Sequence, residues 1–303
     1  MKNEKLKISV YKFFEEMLFS PRIYHWPLII TLLPFSLLYM TIAHFKFPRK
    51  FEDMGIPVVS VGNIVMGGSG KTPVSIEIAN RFRHYGPAVV LRGYGRSSKG
   101  LVVVKNGDIL TDVKTSGDEA MEIAMNTDAI VIVSEERKKG ILKAKELGAG
   151  FVILDDGFDK PFKKLNIVID KKIKNPFTIP AGGYRYPRIA LRFADIILEE
   201  GRDFEREVEI PKGDILISAI STPKRLLKFW KGPYKFFPDH YEYEKEDFEE
   251  FKDKTIVTTF KDFVKIKDFG LNLRVMRQRV RLKDEVLKQI ENYLIKLQQK
   301  GDK

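Results

Sequence analysis

The stretch Gly67-Gly68-Ser69-Gly70-Lys71-Thr72 follows the apolar run Ile56-Pro57-Val58-Val59-Ser60-Val61 and opens a segment in which Val74, Ile78 and Phe82 recur at helical spacing. Strand, glycine-rich turn, helix is the setting in which a short glycine motif becomes a phosphate-binding loop. Glycines let successive backbone N–H groups converge on one anion, and the helix N-terminus behind them adds partial positive charge. In such a loop Lys71 reaches the β- and γ-phosphates, and the Thr72 hydroxyl holds Mg²⁺. The expected nucleotide-binding set is therefore Gly67, Gly68, Ser69, Gly70, Lys71 and Thr72. Val65 stands where such loops usually carry their first glycine, and Gly62 lies further back. Met66 occupies the position that holds a lysine in one group of switch ATPases. An Asn-Lys-x-Asp guanine-reading motif is missing from the chain, so ATP is the expected nucleotide.

Outward from the loop, strands and helices alternate. Ala88–Leu91, Leu101–Val104, Ala129–Val133, Phe151–Leu154 and Ile167–Ile169 read as strands, with Asn106-Gly107 turning the second into Ile109-Leu110. Helices are expected after Asp118 and from Glu135 to Leu147, the latter closed by Gly148 and Gly150. Short, fully apolar strands between helices indicate a parallel sheet covered on both faces. The expected fold is α/β: a P-loop NTPase-like, mostly parallel sheet with helices on both faces. A smaller C-terminal α/β domain and an N-terminal apolar helical segment accompany it, with boundaries at 1–50, 51–210 and 211–303. Arg202 to Lys212 is highly charged and reads as a connection. Beyond it, Ile215–Ile217, Thr255–Thr258 and Leu271–Leu273 read as strands, and Val286 to Leu297 as a closing amphipathic helix.

Composition bounds the function. The 303 residues are 44% hydrophobic and 31% charged, which describes a folded chain. There is no cysteine, which excludes disulfides, thiolate metal sites and a cysteine nucleophile. The net charge of +12 calls for an anionic partner, whether lipid headgroup, phosphorylated substrate or nucleic acid.

The N-terminus narrows that choice. Trp26 to Ala43 is a run of 18 residues without a formal charge, the lower edge of a bilayer span. Pro27 and Pro34 argue against an undisturbed spanning helix. Ahead of it Leu6, Val10, Phe13, Phe14, Met17 and Leu18 form an apolar stripe flanked by Lys2, Lys5, Lys7 and Lys12, suited to an anionic membrane surface. Lys46, Arg49 and Lys50 follow, which favours a cytoplasmic body.

Other positions carry chemistry. Phe151-Val152-Ile153-Leu154-Asp155-Asp156 has the form of a Walker B strand, its terminal acids placed to hold Mg²⁺ directly or through water. Arg92-Gly93-Tyr94-Gly95-Arg96 sets two arginines on a glycine turn at a strand end, suited to a phosphate or sugar phosphate and equally to a solvated basic turn. Asp118 follows Ser116-Gly117, where a helix N-cap is also expected. His240 lies in the acid- and aromatic-rich Phe237-Pro238-Asp239-His240-Tyr241.

Taken together these stretches resemble the tetraacyldisaccharide 4′-kinase family. Val61-Gly62-Asn63, the glycine loop, Arg92 to Arg96, Gly117-Asp118-Glu119 and Ser134-Glu135 with Arg137 come in the family's order. Leu154-Asp155-Asp156-Gly157-Phe158, Pro180-Ala181-Gly182 and Pro238-Asp239-His240-Tyr241 complete the series. The resemblance implies transfer of the ATP γ-phosphate to the 4′-hydroxyl of a tetraacylated glucosamine disaccharide 1-phosphate, at the cytoplasmic face of the inner membrane. It implies Asp118 as general base, His240 as its partner, and Lys71 and Arg137 on the transferring phosphoryl group. Asn63, Arg92, Tyr94 and Arg96 are then the substrate contacts, and Thr72, Asp155 and Asp156 the Mg²⁺ ligands. The expected partner is an acylated disaccharide phosphate lipid at an anionic membrane, with no nucleic acid and a monomeric chain. Two departures stand out: Asp159-Lys160 where the family has Gln-His, and Arg185-Tyr186-Pro187 where it has Arg-Glu-Pro. The competing reading is a P-loop ATPase switch or motor acting on a protein or nucleic acid, with the +12 charge as its support.

Overall fold

The computed structural model describes residues 2–67, 69–220, 223–238 and 241–301. In chain order the elements are α1 (Lys2–Phe19), α2 (Trp26–Lys46), β1 (Val58–Asn63), α3 (Lys71–Arg81), β2 (Pro87–Leu91), β3 (Val102–Asn106) and β4 (Asp108–Ile109). Next come α4 (Val113–Ser116), α5 (Asp118–Asn126), β5 (Ile130–Val133), α6 (Arg137–Glu146), β6 (Phe151–Asp155), β7 (Leu165–Ile169) and β8 (Ile196–Leu198). The C-terminal part adds β9 (Phe204–Glu209), β10 (Ile215–Ser218), β11 (Tyr234–Phe236), β12 (Ile256–Thr259), α7 (Phe260–Ile266), β13 (Leu273–Leu282) and α8 (Asp284–Gly301). The sheets are mixed and mostly parallel, as the alternation of apolar strands and helices requires.

The chain divides into two units, one of residues 1–71, 154–203 and 284–303, the other of 72–153 and 204–283. In the first, β1 pairs in parallel with β7, and β7 with β8. All six residues of β1 are buried, which explains the nearly unbroken apolar run. The Tyr293 hydroxyl on α8 donates to the Val58 carbonyl at 3.0 Å and pins the closing helix to this strand.

The helical hairpin α1–α2 belongs to this unit too. Met17, Ile29 and Ala181 form a small buried cluster, worth about 1.5–3 kcal/mol for each large side chain removed from water. Ile29, Ser36 and Ala43 recur every seven residues along the buried face of α2. The Ser36 hydroxyl donates to the Thr178 carbonyl at 2.8 Å and accepts from the Ala181 amide at 2.9 Å. Pro34 does not interrupt α2, contrary to the sequence expectation. Pro27 sits in the first turn, where no amide partner is needed. The bond lost at Pro34 falls on the exposed side at Ile30, while Ile29 and Ser36 hold the opposite face. Ile23–Phe45 is long and apolar enough to cross a membrane, and only 17% of it is buried. Phe35, Leu37, Leu38 and Phe45 all face outward. The side chains of Lys2, Lys5, Leu6 and Lys7 lie outside the described ones.

In the second unit β2 and β5 pair in parallel, β3 runs antiparallel to β5, and β3–β4 is the hairpin expected at Asn106-Gly107. A five-stranded sheet in the order β11-β10-β12-β13-β9 follows. Here the structure corrects the reading of Arg202 to Lys212 as a connection. Phe204–Glu209 is a strand, antiparallel to the end of a ten-residue β13. Glu205, Glu207 and Glu209 stand opposite Arg281, Arg279 and Arg277, so a charged ladder replaces the apolar run that usually signals a strand. Leu216, Leu226, Trp230, Val257 and Met276 pack one core of this sheet, and Ile217, Phe248, Ile256 and Ile266 belong to another.

Candidate active site

β1 delivers the chain to the glycine loop through Asn63, whose amide nitrogen donates to the Val65 carbonyl and to Ser69 Oγ, both at 2.7 Å. Val65 is buried and bridges Tyr184, so its side chain serves the core. Gly62 is a packing glycine: a Cβ there would lie 2.6 Å from Phe158 Cβ. Gly67 and Gly70 have φ of +77° and +88°, conformations only glycine adopts without strain. Gly68 lies outside the described residues. Lys71 is the first residue of α3, and Thr72 follows it on the helix.

The acid pair ends β6. Asp155 is buried, whereas Asp156 turns outward at φ +61° with its amide donating to the Val61 carbonyl at 2.9 Å. The left-handed turn at Asp156 leaves one carboxylate buried and the other part-exposed. Asp156 faces Lys71, with Nζ at 3.7 Å, and Arg185, whose guanidinium nitrogens lie 3.3–3.5 Å from both carboxylate oxygens. Sequence reasoning met Arg185 only as the neighbour of a departure and missed this contact.

The two departures from the family pattern touch each other. Lys160 Nζ lies 2.9 Å from Asp159, and the Tyr186 hydroxyl hydrogen-bonds the same carboxylate. Burial foremost, and then the Asp159 charge, push the Tyr186 hydroxyl above its ordinary pKa. Its ring packs edge-on against Phe47 and Phe158. Beneath the acid pair, Lys164 donates to the carbonyls of Gly157, Phe158 and Lys160, and burial pulls its ammonium down to about 8. Nothing in the sequence around Lys164 set it apart from a solvated lysine.

In the other unit the turn after β2 presents Arg92 and Tyr94 to solvent, Tyr94 being 81% exposed. Arg96 differs: its side chain is 2% exposed and donates to Glu135 and to the Gly100 carbonyl. The hydrogen bond from Arg96 holds Glu135 below the usual carboxylate range. Gly117, at φ +86°, packs on this turn, and a Cβ there would meet the Tyr94 carbonyl at 3.1 Å. Gly117 is the N-cap of α5, so Asp118 is the first helical residue and its half-buried carboxylate is not spent as a cap. Arg137 opens α6, buried, with Nη1 donating to the Ser134 carbonyl at 2.7 Å. His240 lies outside the described residues.

Comparison with known proteins decides among the readings of this set. The profile of the family described as Tetraacyldisaccharide-1-P 4'-kinase matches residues 28–233, more than half the chain. The chain belongs to this family. It is 44% identical to the tetraacyldisaccharide 4'-kinase of Aliarcobacter butzleri, across 93% of this chain and 96% of that protein. The corresponding kinase of Campylobacter jejuni subsp. jejuni is 45% identical and that of Helicobacter pylori 40%, each across 93% of this chain and 95% of the relative. Among solved structures, an LpxK from Aquifex aeolicus in complex with ATP superposes with a TM-score of 0.77 at 29% identity, over 89% of this chain and 99% of that one. The tetraacyldisaccharide 4′-kinase family thus accounts for the ordered series of motifs and for the fold that carries them.

Proposed function

We propose that this enzyme transfers the γ-phosphate of ATP to the 4′-hydroxyl of a tetraacyldisaccharide 1-phosphate, a step of lipid A biosynthesis. The observation that carries the reading is Lys71 at the head of α3 beside Asp156, a cation and a carboxylate at the end of a glycine loop, in a chain of this family. In this reading Gly67 to Thr72 cradle the triphosphate with backbone N–H groups and the Lys71 ammonium. The ligands proposed for Mg²⁺, the Thr72 hydroxyl and the Asp155 and Asp156 carboxylates, are all oxygen donors. Mg²⁺, which keeps several waters and takes phosphate oxygens, fits such a set better than a closed protein cage. No cluster of three or more His, Cys, Asp or Glu side chains suited to a metal exists among the described residues, in keeping with that mode. When bound, the ion neutralises charge on the β- and γ-phosphates.

Asp118 is the proposed base. Its carboxylate, uncommitted to capping, takes the proton of the 4′-hydroxyl as the new P–O bond forms, with His240 as its partner. Arg137 supports the transferring phosphoryl group. Arg92 and Tyr94, exposed on their turn, meet the sugar phosphate, while Arg96 acts from beneath by holding that turn to Glu135.

The acceptor is a lipid, and the outward apolar face of α2 supports a working position at an anionic membrane surface. A helix fixed to the protein at Ile29, Ser36 and Ala43 lies along that surface and does not cross the bilayer. The body is then on the cytoplasmic side of the inner membrane, where ATP is available. The test is phosphorus NMR of the product made from Mg-ATP and tetraacyldisaccharide 1-phosphate. A second phosphomonoester at the 4′ position supports the proposal, and release of inorganic phosphate alone contradicts it.

A further inference from the structure

Asn63 ends β1 with 1% of its surface exposed, too deep to meet a lipid acceptor. Both N–H bonds of its amide are used inside the loop, one on the Val65 carbonyl and one on Ser69 Oγ. A carbonyl only accepts, so the nitrogen must face Val65, and Oδ1 is left buried without a hydrogen bond. Residues 64 to 66 are fixed independently: the Met66 amide donates to the Gly183 carbonyl, the Arg185 amide to the Ile64 carbonyl, and Val65 bridges Tyr184. Ser69 lies beyond Gly67, whose φ of +77° is one that only glycine adopts without strain.

We infer that Asn63 is a positioning residue of the phosphate loop, carrying the fixity of residues 64–66 across the glycines to Ser69 so that the loop N–H groups are convergent before nucleotide arrives. The inference rests on the ATP site proposed above. A glycine loop that loses one of its tethers needs more ordering by the nucleotide, and that cost appears as weaker binding. Losing the tether therefore acts on ATP affinity and leaves the lipid's affinity alone.

The experiment compares full-length wild type, Asn63→Ala, Asn63→Asp and Ser69→Ala in detergent micelles. It measures binding of a non-hydrolysable Mg-ATP analogue by calorimetry, and KM for ATP and for the lipid. Asn63→Ala should weaken the analogue about tenfold to a hundredfold, raise KM for ATP in step, and leave KM for the lipid within about twofold. Asn63→Asp keeps the size but has no N–H to give, and should lose at least as much. Ser69→Ala, which removes one of the two acceptors, should lose a part. A raised lipid KM with unchanged analogue binding would make Asn63 a substrate contact and overturn the inference, as would unchanged values throughout. Should Asn63→Ala unfold, Ser69→Ala carries the test, and wild-type affinity there would count against the tether. A wild type that does not bind the analogue would remove the ATP-site reading itself, and the tether with it.

Discussion

Lys71 Nζ lies 3.7 Å from Asp156 Oδ1. The lysine that a phosphate loop needs for its ligand is thus neighbour to an outward carboxylate, and Arg185 approaches that carboxylate from another direction. In the function proposed above, a triphosphate competes with Asp156 for Lys71, and Arg185 stays beside that carboxylate. Asp156→Asn should therefore lower kcat by about two to three orders of magnitude, the cost of removing one electrostatic element from a phosphoryl-transfer site. Asp156 is 40% exposed, so thermal unfolding should barely move. Near-wild-type turnover would show that Asp156 is not part of the machinery.

Gly62 is read as a packing glycine. The Cβ of Gly62→Ala would meet Phe158 Cβ at 2.6 Å and the Phe158 backbone at 3.2 Å, with no flexible chain end to yield. We expect a loss of about 1–3 kcal/mol in urea unfolding, together with reduced activity, because Phe158 directly follows the acid pair and Gly157. Unfolding indistinguishable from wild type would contradict the packing role.

Much of this was legible in the sequence. The glycine loop, the acids ending β6 and the start of α5 each join an apolar run to residues of special backbone or charge, and such junctions survive without knowledge of tertiary contacts. β9 was not legible, because its outward Glu205, Glu207 and Glu209 and the partly buried Arg206 mask the alternation, and only the facing arginines of β13 explain them. Arg185 was missed because its partner Asp156 is 29 positions away. The burial of Arg96 could not be read from a glycine turn that looks solvated. Pro34 misled for a similar reason: local chemistry predicts a break, and packing through Ile29, Ser36 and Ala43 overrides it.

The outward residues of α2 separate membrane binding from folding. Leu38→Glu places a charge on the exposed face without touching Met17, Ile29 or Phe47. Co-sedimentation with vesicles containing anionic lipid should fall several-fold, whereas activity on substrate in detergent micelles should persist. Equal sedimentation of variant and wild type would argue against this face as the contact.

Lys164 gives a pH dependence with a definite sign. Its amine titrates near 8 in the folded protein and near 10.5 when unfolded. Between those values the unfolded chain holds the extra proton, so stability from this group rises with pH across the window. The stability of wild type relative to Lys164→Met should increase by about 2 kcal/mol from pH 7.5 to pH 10, read from paired urea titrations. A difference that stays flat or shrinks would mean that the three carbonyls, more than burial, set the charge of Lys164.

The central claim is phosphoryl transfer to a lipid hydroxyl with Asp118 as base. Its most direct test follows label from γ-labelled Mg-ATP into tetraacyldisaccharide 1-phosphate in micelles, with wild type and Asp118→Ala side by side and nucleotide binding measured on both. The account predicts labelled lipid from the wild type, a loss of about a hundredfold or more in the variant, and equal nucleotide affinity. Labelled lipid at the same rate from Asp118→Ala would contradict the assigned base, and none from a wild type that binds ATP would contradict the kinase.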